Sequence, residues 1–499
     1  MAVTTGPIPC LEEYGISEEC GFLPASPPLE RLPNPYFQCW ENAIHNFNHL
    51  LLAGKLREII RKFPVLDTSV LSTEAELQRA FVVLSILTHG YVWGKQEPIS
   101  EMLPPMLAIP FCAVAERLEM SPVVCNAAVV TWNWKILDPE GPLDLSNLAT
   151  LHTFTGSIDE SWFYLITTAI EGKSGRCLTA ILNAMHAIEE SSDEQFIYWM
   201  RELASAMEEI RGILIRMYDK CDPYIFYWKV RAYLAGWKNM ADAGLPHGVL
   251  YQGVDDLDLP KNFDPSQLTQ RYRKYAGGSA GQSGLVHALD VALGVHHDIT
   301  VESTNSADEE EKELAREGQH TNFFNEMRQY MPGKHRKFLE ALERAPSIHK
   351  YVMSRSKSIL DSSKTEAATV VEAFNECLDQ LKLFRNSHIQ MVTRYIVLPA
   401  KKGPAGTPIG VGMVDPANPT TQPHSQQQKH HGMGILYPQT SPIVSGNAPP
   451  PHGLARLVGD EKIVRGTGGT DVIPFLKQAR DDVVDTKIVT VENRKINNC

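Results

Sequence analysis

Residues 374–399 read FNECLDQLKLFRNSHIQMVTRYIVLP. Leu381, Phe384, His388, Met391, Val392 and Tyr395 recur at steps of three and four, which on a helix makes one apolar stripe with a single imidazole in its middle. The spacing predicts a helix over 371–398 with His388 turned to the core. A neutral imidazole shut away from water must satisfy its ring nitrogens, and it does so through hydrogen bonds or through a metal. Lone core histidines are more often structural. Arg385, one turn earlier and beside the stripe, stands where it can meet the carboxylates of a bound group. A ligating histidine with an arginine one turn away is the donor set that haem asks for, one nitrogen for iron and one cation for a propionate.

The helical period dominates the rest of the 499 residues. Helices are predicted at 123–134, 161–169, 178–189, 196–220, 223–238, 284–295, 323–330 and 335–344, after amphipathic runs at 40–63 and 74–94. Strand patterns are scarce, and no unit repeats at a fixed interval. The expectation is an all-α protein: a small helical domain over 1–105, a stiff, apolar, proline-studded crossing at 106–122, and a large helical domain over 123–499. Residues 1–38, with Pro24, Pro27, Pro28, Pro33 and Pro35, are expected to wrap the surface in extended form. The acidic stretch 298–316 reads as a solvated loop or helix start. Residues 400–465, rich in Pro, Gly, Gln, Ser and His, read as a long mobile loop, with His424, His430 and His431 as its decoration.

A formal charge of −12 and the lack of a basic stripe argue against nucleic acid or an anionic membrane as partner. The nine cysteines form no CxxC pair, so neither a zinc ribbon nor a disulfide framework is indicated, and they suit a reducing compartment. The runs 80–87 and 106–115 are too short to span a bilayer and fit buried helices. No secretory signal opens the sequence, and Cys499 is not placed as a prenylation box. The reading is a cytoplasmic monomer.

Several stretches bear on chemistry. GGSAGQSG at 277–284 leads into an almost uniformly apolar helix; it lacks the lysine of a phosphate loop, and serves either to bring backbone against a flat ligand, with Ser279 offering a hydroxyl, or simply to start the helix. Asp290 is surrounded by apolar neighbours in that helix, so it needs a partner; a carboxylate turned to the free nitrogen of His388, directly or through water, would raise the ligand's basicity and fix its tautomer. Asp222 and Pro223 suit the cap and first position of a helix whose Tyr227, Arg231 and Leu234 share a face, with Phe226 alongside. There Arg231 is either a snorkelling surface residue or a carboxylate clamp. Phe163 and Thr167, one turn apart, read as core or as pocket wall. GTGGTD at 466–471 has the makings of a lid.

Taken together, YVWG (91–94), NWK followed by DP (133–139), Phe226-Tyr227 with Arg231 and GWK (236–238), GGSAGQS (277–283), YMP with HR (330–336), SHIQ (387–390) and GTGGTD (466–471) resemble the haem-dependent indoleamine 2,3-dioxygenase family, especially its fungal members. The resemblance runs from about residue 14 to 480, excluding 400–465. It implies that the large domain binds haem b, and that O2 is inserted across the indole C2–C3 bond of L-tryptophan to give N-formylkynurenine, in tryptophan catabolism by the kynurenine pathway. An electron donor would keep the iron reduced. By the same resemblance His388 is the proximal iron ligand, Arg385 the propionate contact, Asp290 the acid behind the ligand, and Ser279 with Ala280 the turn beside haem. Arg231 engages the substrate carboxylate, Phe226 shapes the indole pocket with Tyr227, Phe163, Thr167 and Asn126 around it, and Thr467 lies in the lid. Tyr164 and Tyr227 stand where mammalian relatives carry phenylalanine, Thr167 where they carry serine, and Asn126 where they carry tyrosine, so each buried phenol needs a partner.

No residue is evident as a catalytic acid or base, which suits a reaction that depends on positioning and exclusion of water. A haem-binding sensor on the same scaffold with little or no turnover is the alternative, and a helical interaction protein without cofactor is the third reading.

Overall fold

The first long helix starts where its cap dictates. Thr73 Oγ1 accepts the Glu76 N–H at 3.2 Å while the Glu76 carboxylate takes the Thr73 N–H at 2.9 Å, a reciprocal capping box. A computed structural model describes residues 6–95, 97–256, 269–297, 323–361, 365–402 and 472–488. Within them the protein is almost entirely helical. The principal helices are α1 (Gln38–His45), α2 (Glu74–Trp93), α3 (Pro105–Arg117), α4 (Ile158–Glu189), α5 (Asp193–Ile215), α6 (Gly284–Leu293), α7 (Phe323–Arg328), α8 (Gly333–Arg344), α9 (Ile348–Asp361), α10 (Thr365–Val392) and α11 (Val472–Asp485). Two short strand pairs complete the frame, 102–103 parallel to 250–251 and 134–136 antiparallel to 148–150.

Helix α2 is buried continuously from Arg79 to Trp93, which is why its sequence shows little amphipathic contrast. Its one buried cation, Arg79, is matched by Glu41 of α1, with Nη2 2.7 Å from Oε2. The proline-studded crossing is itself a helix, α3, with Pro105 at its first position and Pro110 inside it, packed on α2. The helices predicted separately at 161–169 and 178–189 are one, α4. Gly172 and Gly175 lie inside it at places of close approach: a Cβ on Gly175 would lie 2.1 Å from the Glu18 carbonyl oxygen. They let the N-terminal segment lie against the helix.

Helix α5 packs on both α4 and α10, and α10 in turn carries α9 and α11. Beyond Val392 the helical course of α10 continues through a π turn, Thr393–Val397, to Lys402. Both the acidic stretch 298–316 and all of the 400–465 segment past residue 402 lie outside the described residues. No helix among the described residues is long and apolar enough to cross a membrane.

Candidate functional site

The apolar stripe that begins in α10 borders a cavity as well as core. Leu381, Phe384, His388, Met391, Val392 and Tyr395 all line one cavity of about 260 Å³. Its other walls come from residues 126–130, α4, the segment 226–234, the turn 278–283, α7 and α11. Three π turns border it: Ala127–Thr131 supplies Val129 and Val130, Phe226–Val230 supplies Phe226 and is followed at once by Arg231, and Thr393–Val397 supplies Tyr395 and Ile396. The extra residue in such a turn shifts the side-chain register, and π turns gather at functional sites.

Local chemistry sets each wall. Asp222 caps the segment carrying Arg231, accepting the Tyr224 and Ile225 N–H groups at 2.8 and 3.1 Å, with Pro223 first in the helix. The turn 277–283 is pressed against the end of that segment, since a Cβ on Gly277 would sit 2.1 Å from the Leu234 carbonyl oxygen and one on Gly236 2.3 Å from that of Tyr275. Ser279 Oγ accepts the Gly281 N–H at 3.2 Å, and Gln282 bridges outward, donating to the Gly277 carbonyl at 2.8 Å and accepting the Asn126 N–H at 2.9 Å. The glycine-rich stretch therefore both starts α6 and lines the pocket, through Gly278, Ser279, Ala280, Gly281 and Ser283. On α4, Phe163 meets Phe226 with ring centroids 4.5 Å apart, and Thr167 donates to the Phe163 carbonyl at 3.2 Å.

His388 differs from the structural histidines of this protein. His89, fully buried, donates from Nδ1 to the Tyr233 carbonyl at 2.7 Å and accepts the Val124 N–H at Nε2 at 3.0 Å, so both nitrogens are used. His388 makes no hydrogen bond with any described residue and faces the cavity. Burial, and after it the nearby Arg385, pushes its pKa down to about 4, so the ring is a neutral imidazole near pH 7.

Asp290 is held by Arg385 and His297. It is buried, as its neighbours required, but no hydrogen bond joins it to His388. Arg385 Nη2 donates to one carboxylate oxygen and His297 Nε2 lies 3.0 Å from the other. Burial alone would raise its pKa; Arg385 and His297 outweigh that and hold the carboxyl below its ordinary value. Arg385 Nη1 also donates to the Ala479 carbonyl of α11.

Tyr227 departs from the expected arrangement. It is buried but does not line the cavity; its ring lies beneath Arg231, with the guanidinium carbon 5.3 Å from the centroid. Arg231 itself is 1% exposed and lines the cavity, which excludes the snorkelling reading. Burial draws its pKa down to about 10, Tyr227 acting in the opposite sense. The phenol of Tyr164, also off the pocket, donates to Glu160 at 2.8 Å. Thr467 lies outside the described residues. Sequence reasoning missed Phe323, Phe324, Phe475 and Leu476, apolar wall residues of α7 and α11; paired aromatics on short helices beside two loop-like stretches were the only signal.

Among the described residues, the lining's titratable groups are Arg231, Arg385, His388 and Tyr395, and Tyr395 is committed to the Cys221 carbonyl at 2.6 Å. Among the described residues no group of three or more His, Cys, Asp or Glu is placed to hold a bare metal ion. One imidazole suffices where a macrocycle brings the remaining ligands. A neutral ring with an uncommitted nitrogen, an arginine one turn away and an apolar surround fit haem.

Among the described residues, fold and site thus define a helical protein with a largely apolar pocket that carries one histidine, His388, on its wall. The family model described as indoleamine 2,3-dioxygenase matches residues 10–486. The chain is 34% identical to the indoleamine 2,3-dioxygenase of Saccharomyces cerevisiae over 98% of its own length and 96% of that protein's. It is 33% identical to indoleamine 2,3-dioxygenase 1 of Rattus norvegicus over 94% of each chain, and 32% identical to indoleamine 2,3-dioxygenase 2 of Homo sapiens over 95% of each. The chain belongs to the indoleamine 2,3-dioxygenase family, and its chemistry is in general terms that of an oxidoreductase.

Proposed function

We propose that this protein is a haem b dioxygenase of the fungal type that inserts both atoms of O2 across the C2–C3 bond of L-tryptophan to give N-formylkynurenine. The observation that carries the reading is the convergence of His388, Arg385, Arg231, Phe163 and Phe226 on one cavity. Bound haem would supply the iron at which O2 is activated.

Protein side chains do the rest. His388 holds the iron with a nitrogen that no described residue competes for. Arg385 has five N–H donors, enough to keep Asp290 and Ala479 and still meet a propionate. Arg231, desolvated and braced on Tyr227, orients the substrate carboxylate in a low-dielectric surround where a charge-assisted pair is strong. Phe163 and Phe226 hold the indole ring by its faces or edges. With no carboxylate among the described residues of the pocket wall, orientation and exclusion of water carry the catalysis rather than proton transfer by a side chain. We assign the protein to the cytoplasm as a monomer served by an electron donor; its eight described cysteines are all free, as a reducing compartment requires.

Reduced, haem-loaded protein incubated with 18O2 and L-tryptophan is expected to release N-formylkynurenine carrying two labelled oxygens. Haem-loaded protein that binds O2 yet forms no product would instead support the sensor reading, and a singly labelled product would refute insertion of both atoms.

A further inference from the structure

The motif YMP with HR at 330–336 contributes nothing to the site described above. Its histidine, His335, lies in the first turn of α8 and lines a second cavity, of about 530 Å³. The two linings share no described residue. Walls of the second come from residues 12–25, the heads of α2 and α8, the end of α3 with the turn after it, and Trp132.

Most polar groups around this cavity are committed. Ser72 and Thr73 donate from their hydroxyls to the Glu76 carboxylate at 2.9 and 3.1 Å, and Arg117 donates to the Thr68 and Leu71 carbonyls, each at 2.8 Å. Lys334 pairs with Glu74, and Lys337 with Glu119. Two lining side chains are more than nine-tenths buried and form no hydrogen bond with any described residue: Trp132, 3% exposed, and His335, 8% exposed. Burial, and after it the adjacent Lys334, pushes the His335 pKa down to about 4, so near pH 7 the ring is neutral, with one N–H to donate. The indole of Trp132 only donates. Phe22 meets the His335 ring edge-on with centroids 5.2 Å apart, and Phe81 meets Trp132 in the same way at 5.8 Å, so both rings are held by apolar contacts.

Buried donors without partners favour a ligand that brings an acceptor. The heads of α2 and α8, helices of 20 and 12 residues, both border the cavity, and the positive ends of their dipoles favour negative charge. Against a multiply charged anion stand three lining carboxylates, Glu12, Glu74 and Glu119, to the two cations Arg117 and Lys334. One negative charge answers the donors without the repulsion that a phosphate dianion would meet. Phe22, Leu77 and Leu118 supply apolar wall for the body of such a ligand, and the volume is that of a small-molecule site.

We propose that this cavity is a second binding site, for a small aromatic monocarboxylate whose carboxylate accepts from Trp132 and His335. Its existence does not depend on haem or tryptophan chemistry at the first cavity.

Calorimetric titration of the full-length, haem-loaded protein with benzoate, benzamide and inorganic phosphate tests the site, in the wild type, His335→Phe and Trp132→Phe. Benzoate is expected to bind the wild type at least tenfold more tightly than benzamide or phosphate, and to lose about tenfold in each folded variant, the size of one hydrogen bond to a charged group. In crystals soaked with 4-bromobenzoate, the anomalous bromine signal is expected in the cavity lined by Trp132 and His335. The comparison of ligands and the bromine position need no variant, so they decide even if both substitutions unfold the chain. Absence of benzoate binding, benzamide or phosphate binding as tightly, an unchanged benzoate affinity in either folded variant, or bromine found only in the cavity of His388 would each overturn the proposal.

Discussion

His297 Nδ1 lies 2.7 Å from the Asp482 carboxylate, fastening the chain just beyond α6 to the C-terminal helix α11. The other ring nitrogen reaches Asp290, and the ring stacks on Phe324 with centroids 4.3 Å apart. Because Phe475, Leu476 and Ala479 of α11 line the cavity, this histidine helps hold one of its walls in place. The side chains of His297 and Asp482 are 10% and 7% exposed, and breaking a pair buried to that degree costs about 3 kcal/mol. His297→Phe, which keeps the stack, is expected to lower unfolding free energy by about that much and to speed hydrogen exchange in 472–485. Exchange in α11 that stays at the wild-type rate would show that the latch carries no weight.

The same contact has a pH signature. Burial alone would lower the His297 pKa, but the Asp290 and Asp482 carboxylates outweigh it and raise it above its ordinary 6.5. A histidine raised in the folded state contributes stability that is full below its unfolded pKa and lost as pH climbs through its folded one. Protection of α11 should therefore weaken from neutral toward alkaline pH in the wild type and stay flatter in His297→Gln. Asp290, held below its ordinary value, works at the other end, its contribution present above the unfolded carboxylate pKa and lost in acid. A wild-type profile parallel to that of His297→Gln above neutrality would count against the assignment.

Two helical glycines should respond with opposite signs. A Cβ on Gly175 meets the Glu18 carbonyl oxygen at 2.1 Å, backbone that cannot swing aside, so Gly175→Ala is expected to cost about 2 kcal/mol or more. Gly212 lies inside α5, and a Cβ there meets nothing within 4 Å. Gly212→Ala should then stabilise by about 1 kcal/mol through helix propensity. Chemical denaturation of the pair decides it: equal shifts would refute the close-approach account of α4.

Arg231→Ala separates substrate recognition from cofactor binding. Removal of a desolvated carboxylate partner is expected to lower kcat/KM for tryptophan about a hundredfold, while haem content stays near that of the wild type. Tryptophan use unaffected by the change would place the carboxylate elsewhere.

The sequence disclosed the α10 wall because a helix whose stripe faces a cavity has the same period as one that faces a core. All six stripe residues line the pocket, yet periodicity alone does not distinguish the two. Phe163, Thr167, Phe226, Arg231, Ser279, Ala280 and Asn126, joined to His388 by resemblance, line the same cavity. The partner of Asp290 was not legible: burial demanded one, but the choice of Arg385 and His297 over His388 depends on how α6 and α10 are set against each other. Tyr227 shares a face with Arg231 only on a regular helix, and the π turn Phe226–Val230 breaks that register. Helix α9 carries ordinary amphipathic spacing from Ile348 yet is not among the predicted helices, and α4 is predicted as two helices, 161–169 and 178–189, because a sequence does not show what packs against the residues between them.

The most direct test is a haem titration of the apo-protein, wild type against His388→Ala, followed by absorption and by thermal melting. Because His388 forms no hydrogen bond with a described residue, the variant is expected to melt near the wild type. It should fail to retain haem with the wild-type spectrum, and added imidazole should restore that spectrum. A variant that binds haem with the same affinity and the same spectrum as the wild type would contradict the account.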